Sequence, residues 1–154
     1  MYEKKVMQEE REKFYYDYLD LPKQVGVVND YENILSKKQE NVLDSIISQF
    51  HQKTSNEIVI ISIDSINNFK DLQEFTSYID NYWEVGNKKE NGLIITISKE
   101  LRSIWIKTDM NTKNKLTEEF LKKIIDEQMI PEFKNDKYYE GIKTGLLHCI
   151  EEWE

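Results

Sequence analysis

Two stretches, Glu57–Ile63 (EIVIISI) and Leu93–Ser98 (LIITIS), are apolar and largely β-branched with almost no interruption. A strand with one wet face alternates polar and apolar residues. An unbroken apolar run suits a strand covered on both faces. Between the two runs, Leu72, Phe75, Tyr78, Ile79 and Tyr82 recur at helical spacing. Strand, helix, strand, with both strands buried, calls for a parallel pair joined by a right-handed crossover. It also calls for helices on both faces of the sheet.

The flanking segments extend this frame. Val25–Asp30 (VGVVND) reads as a short edge strand. Ser36 with Gln39 forms a capping-box pattern, and Val42, Leu43, Ile46, Ile47 and Phe50 continue it as a helix over residues 37–53. Gly86 and Asn91-Gly92 bracket a polar loop ahead of the second apolar run. A short break at Lys99-Glu100 suits a hairpin, with Leu101–Lys107 as the antiparallel return strand. Thr117 caps a helix carrying Phe120, Leu121, Ile124, Ile125 and Met129, expected to stop before Pro131. Asn135 or Asp136 starts a last helix that ends near Trp153. Residues 1–20 are charged and aromatic and read as a further helix, broken at Leu21-Pro22. The sum is one α/β domain, a small mixed sheet with helices on both faces, over residues 25–154. Residues 1–24 form an N-terminal helical extension.

A chain of 154 residues is long enough to bury a core without metal or disulfide. Its formal net charge of −8 disfavours nucleic acid and suits a cation or a basic partner. The single cysteine, Cys149, excludes an intrachain disulfide. No run of apolar residues is long enough to span a membrane, and the first residues lack the apolar stretch of a signal peptide. On that pattern the chain is cytoplasmic or has lost a leader. His51 and His148 belong to no HExxH motif, and no zinc cluster, P-loop, GxGxxG or GxSxG is present. Cys149, in GLLHCIEEW, reads as a core residue. DMNTKNKLTEEF fails as an EF-hand loop. Lys113 stands at the fifth position, Asn114 replaces the turn glycine, and Phe120 stands where a bidentate glutamate belongs.

Several segments, in order, resemble the TPM domain family, named partly for a thylakoid-lumen phosphatase. They are VVNDYENILSKKQENVL, FHQKTSNEIVIISI, YWEVGNKKENGLIITISKELRSIWI, and LTEEF with IIDEQMIPEFKNDKYYEGIKTGL. The resemblance covers about residues 25–150. It implies a Rossmann-like three-layer α/β/α sandwich, a setting in the cell envelope, and, for some members, acid phosphatase activity or bound calcium. The family places Gly-x-Gly-Leu-Glu after the hairpin. In ungapped register, Asp109 and Asn111 stand for the glycines here, Lys113 for the glutamate, and Glu118 for the following aspartate.

The resemblance implies a cation site of Asp30, Asp109, Asn111 and Glu118 at one end of the sheet, with Ca²⁺ or Mg²⁺ as the ion. Arg102 and Lys113 are the weak catalytic candidates, as groups that could meet a phosphate. Set against these are simpler roles: helix caps, Asx turns and solvated surface charges. Two functional expectations follow. One is a non-catalytic binding or assembly module that holds a protein partner in an envelope or quality-control setting, with any metal structural. The other is a divalent-metal-dependent acid phosphatase.

Overall fold

The computed structural model describes residues 19–154. The helix expected over residues 1–20 lies outside the described residues, except that Leu19 and Asp20 form a turn. Four strands make one sheet in the order β1 (Val28–Asp30), β2 (Glu57–Ser62), β3 (Gly92–Ser98) and β4 (Ser103–Thr108). The first three are parallel, and β4 returns antiparallel to β3. The helices are α1 (Lys37–Thr54), α2 (Leu72–Trp83), α3 (Met110–Lys113), α4 (Glu118–Ile124), α5 (Ile130–Lys134) and α6 (Tyr138–Trp153).

The two unbroken apolar runs are the two central strands. Their alternate residues feed two separate cores. Ile58, Ile60, Leu93, Ile95 and Ile97 pack with Leu43, Ile47 and Phe50 of α1 and Leu146, Cys149 and Trp153 of α6. Val59, Ile61 and Ile94 point the other way, onto Phe75 and Ile79 of α2, with Leu21 and Val85 closing that core. This is the expected sandwich. The helix α1 begins as its sequence indicates: Ser36 Oγ accepts from the Gln39 N–H, and Gln39 Oε1 accepts from the Ser36 N–H.

Three boundaries differ from expectation. The helix that begins after Thr117 does not end before Pro131. Its hydrogen bonding slips by one residue through a π-helical turn at Ile125–Met129, and the Ile130 N–H reaches Ile125 O. Pro131 then sits at the start of α5, where a missing N–H costs least. The last helix starts at Tyr138, not at Asn135 or Asp136, because Asp136 is left-handed at φ 61°. The strand β4 starts at Ser103 rather than Leu101. Lys99–Arg102 forms the turn, with the Arg102 N–H on Lys99 O and Arg102 itself at φ 50°.

Candidate functional sites at the two ends of the sheet

At the C-terminal ends of the parallel strands, Asp30 closes the β1–α1 loop. Its carboxylate accepts from the Ile34 N–H at 3.0 Å, the Leu35 N–H at 2.8 Å and the Ser62 hydroxyl. Glu32 does the same across the sheet. Its two oxygens accept from the Lys99 and Glu100 N–H groups, each at 2.8 Å, and so tie the β3–β4 turn to the β1–α1 loop. Sequence reasoning passed over Glu32; the long-range pairing that gives it a role has no local signal. Between these loops and the start of α6 lies a polar cleft of about 650 Å³, lined by Glu32, Asp64, Lys99, Glu100, Asp136 and Tyr138, among others. Lys99 Nζ sits 3.2 Å from Asp136 Oδ1 and over the ring of Tyr138. Open α/β sheets hold ligands at this end.

At the opposite end, the stretch Thr108–Lys115 wraps the loop before β3. Asp109 Oδ2 accepts from the Gly92 N–H at 2.8 Å, while the Asp109 N–H donates to Gly92 O. The Asn111 N–H donates to Glu90 O, and its amide nitrogen donates to Lys89 O. Thr112, fully buried, places its hydroxyl on Gly92 O. The polar run therefore forms a clasp. Its short helix α3 turns the chain from β4 towards α4.

Burial raises the Asp109 carboxyl above the ordinary carboxylate range. The Gly92 N–H opposes the rise, Asp80 adds to it, Lys107 opposes it and Glu90 adds to it. Lys107 is shared, 2.7 Å from Asp80 Oδ2 and 3.9 Å from Asp109 Oδ1. A carboxyl with a raised pKa in the folded state binds its proton more tightly there than in the unfolded chain. Its charge therefore opposes folding at neutral pH, and that opposition fades as pH falls through the raised value towards the unfolded one. In Asp109→Asn the amide oxygen keeps the Gly92 bond and the charge is gone. Wild type is expected to gain stability relative to this variant as pH is lowered from about 7 to about 4. Urea denaturation at each pH measures the difference; a constant or inverted difference would contradict the burial of this charge.

The strand register separates the residues of the expected four-residue cation site. Asp30 pairs with Ser62, and Ser62 with Ile97, whereas Asp109 follows Thr108, the partner of Leu93. Five residues of strand, about 16 Å, separate the two levels. Asp30 and Asp109 lie at opposite ends of the sheet and cannot share an ion. Asn111 sits at the Asp109 end, committed to Glu90 and Lys89. Glu118 is the exposed first residue of α4, behind the Thr117 cap. The two cationic candidates divide the same way: Arg102 is exposed in the turn at the Asp30 end, and Lys113 is exposed at the end of α3 beside Asp109. Among the described residues, no three His, Cys, Asp or Glu side chains are grouped to hold a metal. Cys149 is buried, and burial pushes its thiol up to about 12, far from a nucleophile at neutral pH.

The molecule is thus a three-layer α/β/α domain whose strand-end loops are tied by carboxylates. The family model described as TPM domain matches residues 28–152. The chain belongs to the TPM domain family. Three solved structures, all by NMR, share its fold. The N-terminal domain of a Porphyromonas gingivalis (P. gingivalis) protein is 28% identical, with a TM-score of 0.75 over 82% of this chain and 80% of that one. The BA42 protein of the psychrophile Bizionia argentinensis is 18% identical, with a TM-score of 0.69 over 80% of this chain and 83% of that one. The N-terminal domain of a Corynebacterium glutamicum protein is 13% identical, with a TM-score of 0.65 over 86% and 84%. No curated protein matches the sequence. No helix of the described residues is long and apolar enough to cross a membrane.

Proposed function

We propose that this TPM domain is a non-catalytic binding module that holds a protein partner. The observation that carries the reading is the use made of the carboxylates. Asp30 and Glu32 each spend both oxygens on backbone N–H groups of the strand-end loops, and Asp109 spends Oδ2 on the Gly92 N–H while its Oδ1 faces Lys107. A hydrolase needs at least one such group free to take a proton or hold a cation at the reacting phosphate. Here the carboxylates instead rigidify the loops at both ends of the sheet, which favours presentation of a fixed surface. The family-derived alternative, a metal-dependent phosphatase, requires Asp30, Asp109 and Glu118 to converge, and the register keeps the first two apart.

Turnover of p-nitrophenyl phosphate in millimolar Ca²⁺ or Mg²⁺ tests this reading. The expected rate equals that of buffer. Turnover that is lost in folded Asp30→Asn, Asp109→Asn or Arg102→Gln protein would establish the phosphatase and overturn the module.

A further inference from the structure

Asn91-Gly92 is the one Asn-Gly pair of the chain. Such a pair carries a latent reaction, because glycine has no side chain to shield its own nitrogen or to restrain its backbone. The Gly92 nitrogen bonds to the Asn91 side-chain carbon Cγ, closing a cyclic imide. The bond from Cγ to Nδ2 breaks. The Gly92 N–H proton passes through solvent to the leaving nitrogen, which departs as ammonia. Water then opens the imide. Addition at Cγ gives aspartate, and addition at the main-chain carbonyl gives isoaspartate, with one extra carbon in the main chain.

The structure engages both reacting groups elsewhere. Asn91 Nδ2 donates to Ser55 O and to Asn56 Oδ1, each at 3.0 Å. Those bonds anchor the side chain on the α1–β2 loop. The main chain is pinned as well: the Asn91 N–H donates to Gly86 O, and Asn91 O accepts from the Glu57 N–H. Ring closure requires Cγ and the Gly92 nitrogen to move into bonding distance, and all these bonds resist the movement. The nucleophile is blocked too. The Gly92 N–H donates to Asp109 Oδ2 at 2.8 Å. This amide must lose its proton to attack, and a carboxylate beside it disfavours the anion. Gly86 lies against the same nitrogen, so closely that a Cβ on Gly86 would stand 2.3 Å from it. Asn91 is only 8% exposed, which limits the water that could open an imide.

We propose that Asn91-Gly92 is a gated deamidation site, shut by the Asp109–Gly92 clasp and reactive only when the clasp releases. The product does not fit the closed clasp. An aspartate at this position sets an oxygen against Ser55 O and Asn56 Oδ1, so an acceptor meets two acceptors where two hydrogen bonds had been. Isoaspartate displaces Gly92 along β3. Each release that lasts long enough to react therefore marks the chain irreversibly, and this end of the sheet loosens in one direction only.

The test incubates the full chain at mildly alkaline pH. The tryptic fragment of residues 90–99 is then scored for deamidation by mass. In folded wild type the reaction is expected to be about tenfold or more slower than in the free synthetic fragment, because the open clasp is a minor state. Asp109→Ala frees the Gly92 N–H from a charged acceptor and is expected to raise the rate about tenfold. Asp30→Ala weakens the fold from the opposite end of the sheet. It is expected to leave the rate at the wild-type value, because local opening, not global unfolding, exposes the pair. If Asp109→Ala does not fold, Thr112→Val takes its place. It loses only the hydroxyl bond to Gly92 O, and a rise of about threefold is expected. A wild-type rate equal to that of the free fragment would overturn the proposal. So would a clasp variant that reacts no faster than wild type, or an Asp30→Ala protein accelerated as much as the clasp variant.

Discussion

Gly86→Ala is expected to lower the free energy of unfolding by about 3 kcal/mol or more. Two separate costs add. Gly86 is left-handed at φ 64°, and a Cβ there would lie 2.3 Å from the Gly92 nitrogen and 2.5 Å from its Cα. Both opposing atoms are backbone, so no side chain can swing aside. The second cost falls on the clasp. Gly92 is the residue that Asp109 and Thr112 hold from the other side, so pushing it away strains the junction of β3, β4 and α3. Urea denaturation followed by tryptophan fluorescence measures the loss. A loss below about 1 kcal/mol would mean that the Gly86–Gly92 pinch opens freely, and the clasp would then be a weak feature of the fold.

Asp30→Ala is expected to cost about 3 kcal/mol, because hydrogen bonds to a charged group are among the strong ones and three donors lose their acceptor together. Asp30→Asn keeps one side-chain oxygen and is expected to lose roughly half as much. The ordering distinguishes a structural clasp from a cation ligand. A ligand aspartate held near other acids is a liability in the empty protein, and its removal stabilises or leaves stability unchanged. A stabilised Asp30→Ala protein would therefore argue against the clasp.

The central strands were legible because burial on both faces leaves a direct compositional trace: β-branched apolar residues with no alternation. The α1 start was legible for a similar reason, since a capping box is a local pattern and Ser36 with Gln39 forms one. The helix around Pro131 was misread because a proline signals a missing N–H but not the neighbouring register. A π-helical turn at Ile125–Met129 absorbed the defect, and such a turn leaves no clear mark in sequence. The separation of the expected site residues has a topological reason that the sequence motifs do not show. Asp30 and Asp109 both follow strands, and both precede helices. Only the antiparallel return of β4 sends them to opposite ends, so the hairpin that the sequence does indicate already separates them. The Glu32 clamp depends on contacts between distant segments, which leave no local signal in the sequence.

The central claim is that Asp30 and Asp109 serve two separate clasps and share no ion. An amide NMR titration with Ca²⁺, up to the millimolar range where the weakest calcium sites fill, tests it most directly. The expected result is no saturable binding curve common to Asp30, Asp109–Lys113 and Glu118. A single curve with one dissociation constant at all three places would contradict the strand register and return these residues to one cation site.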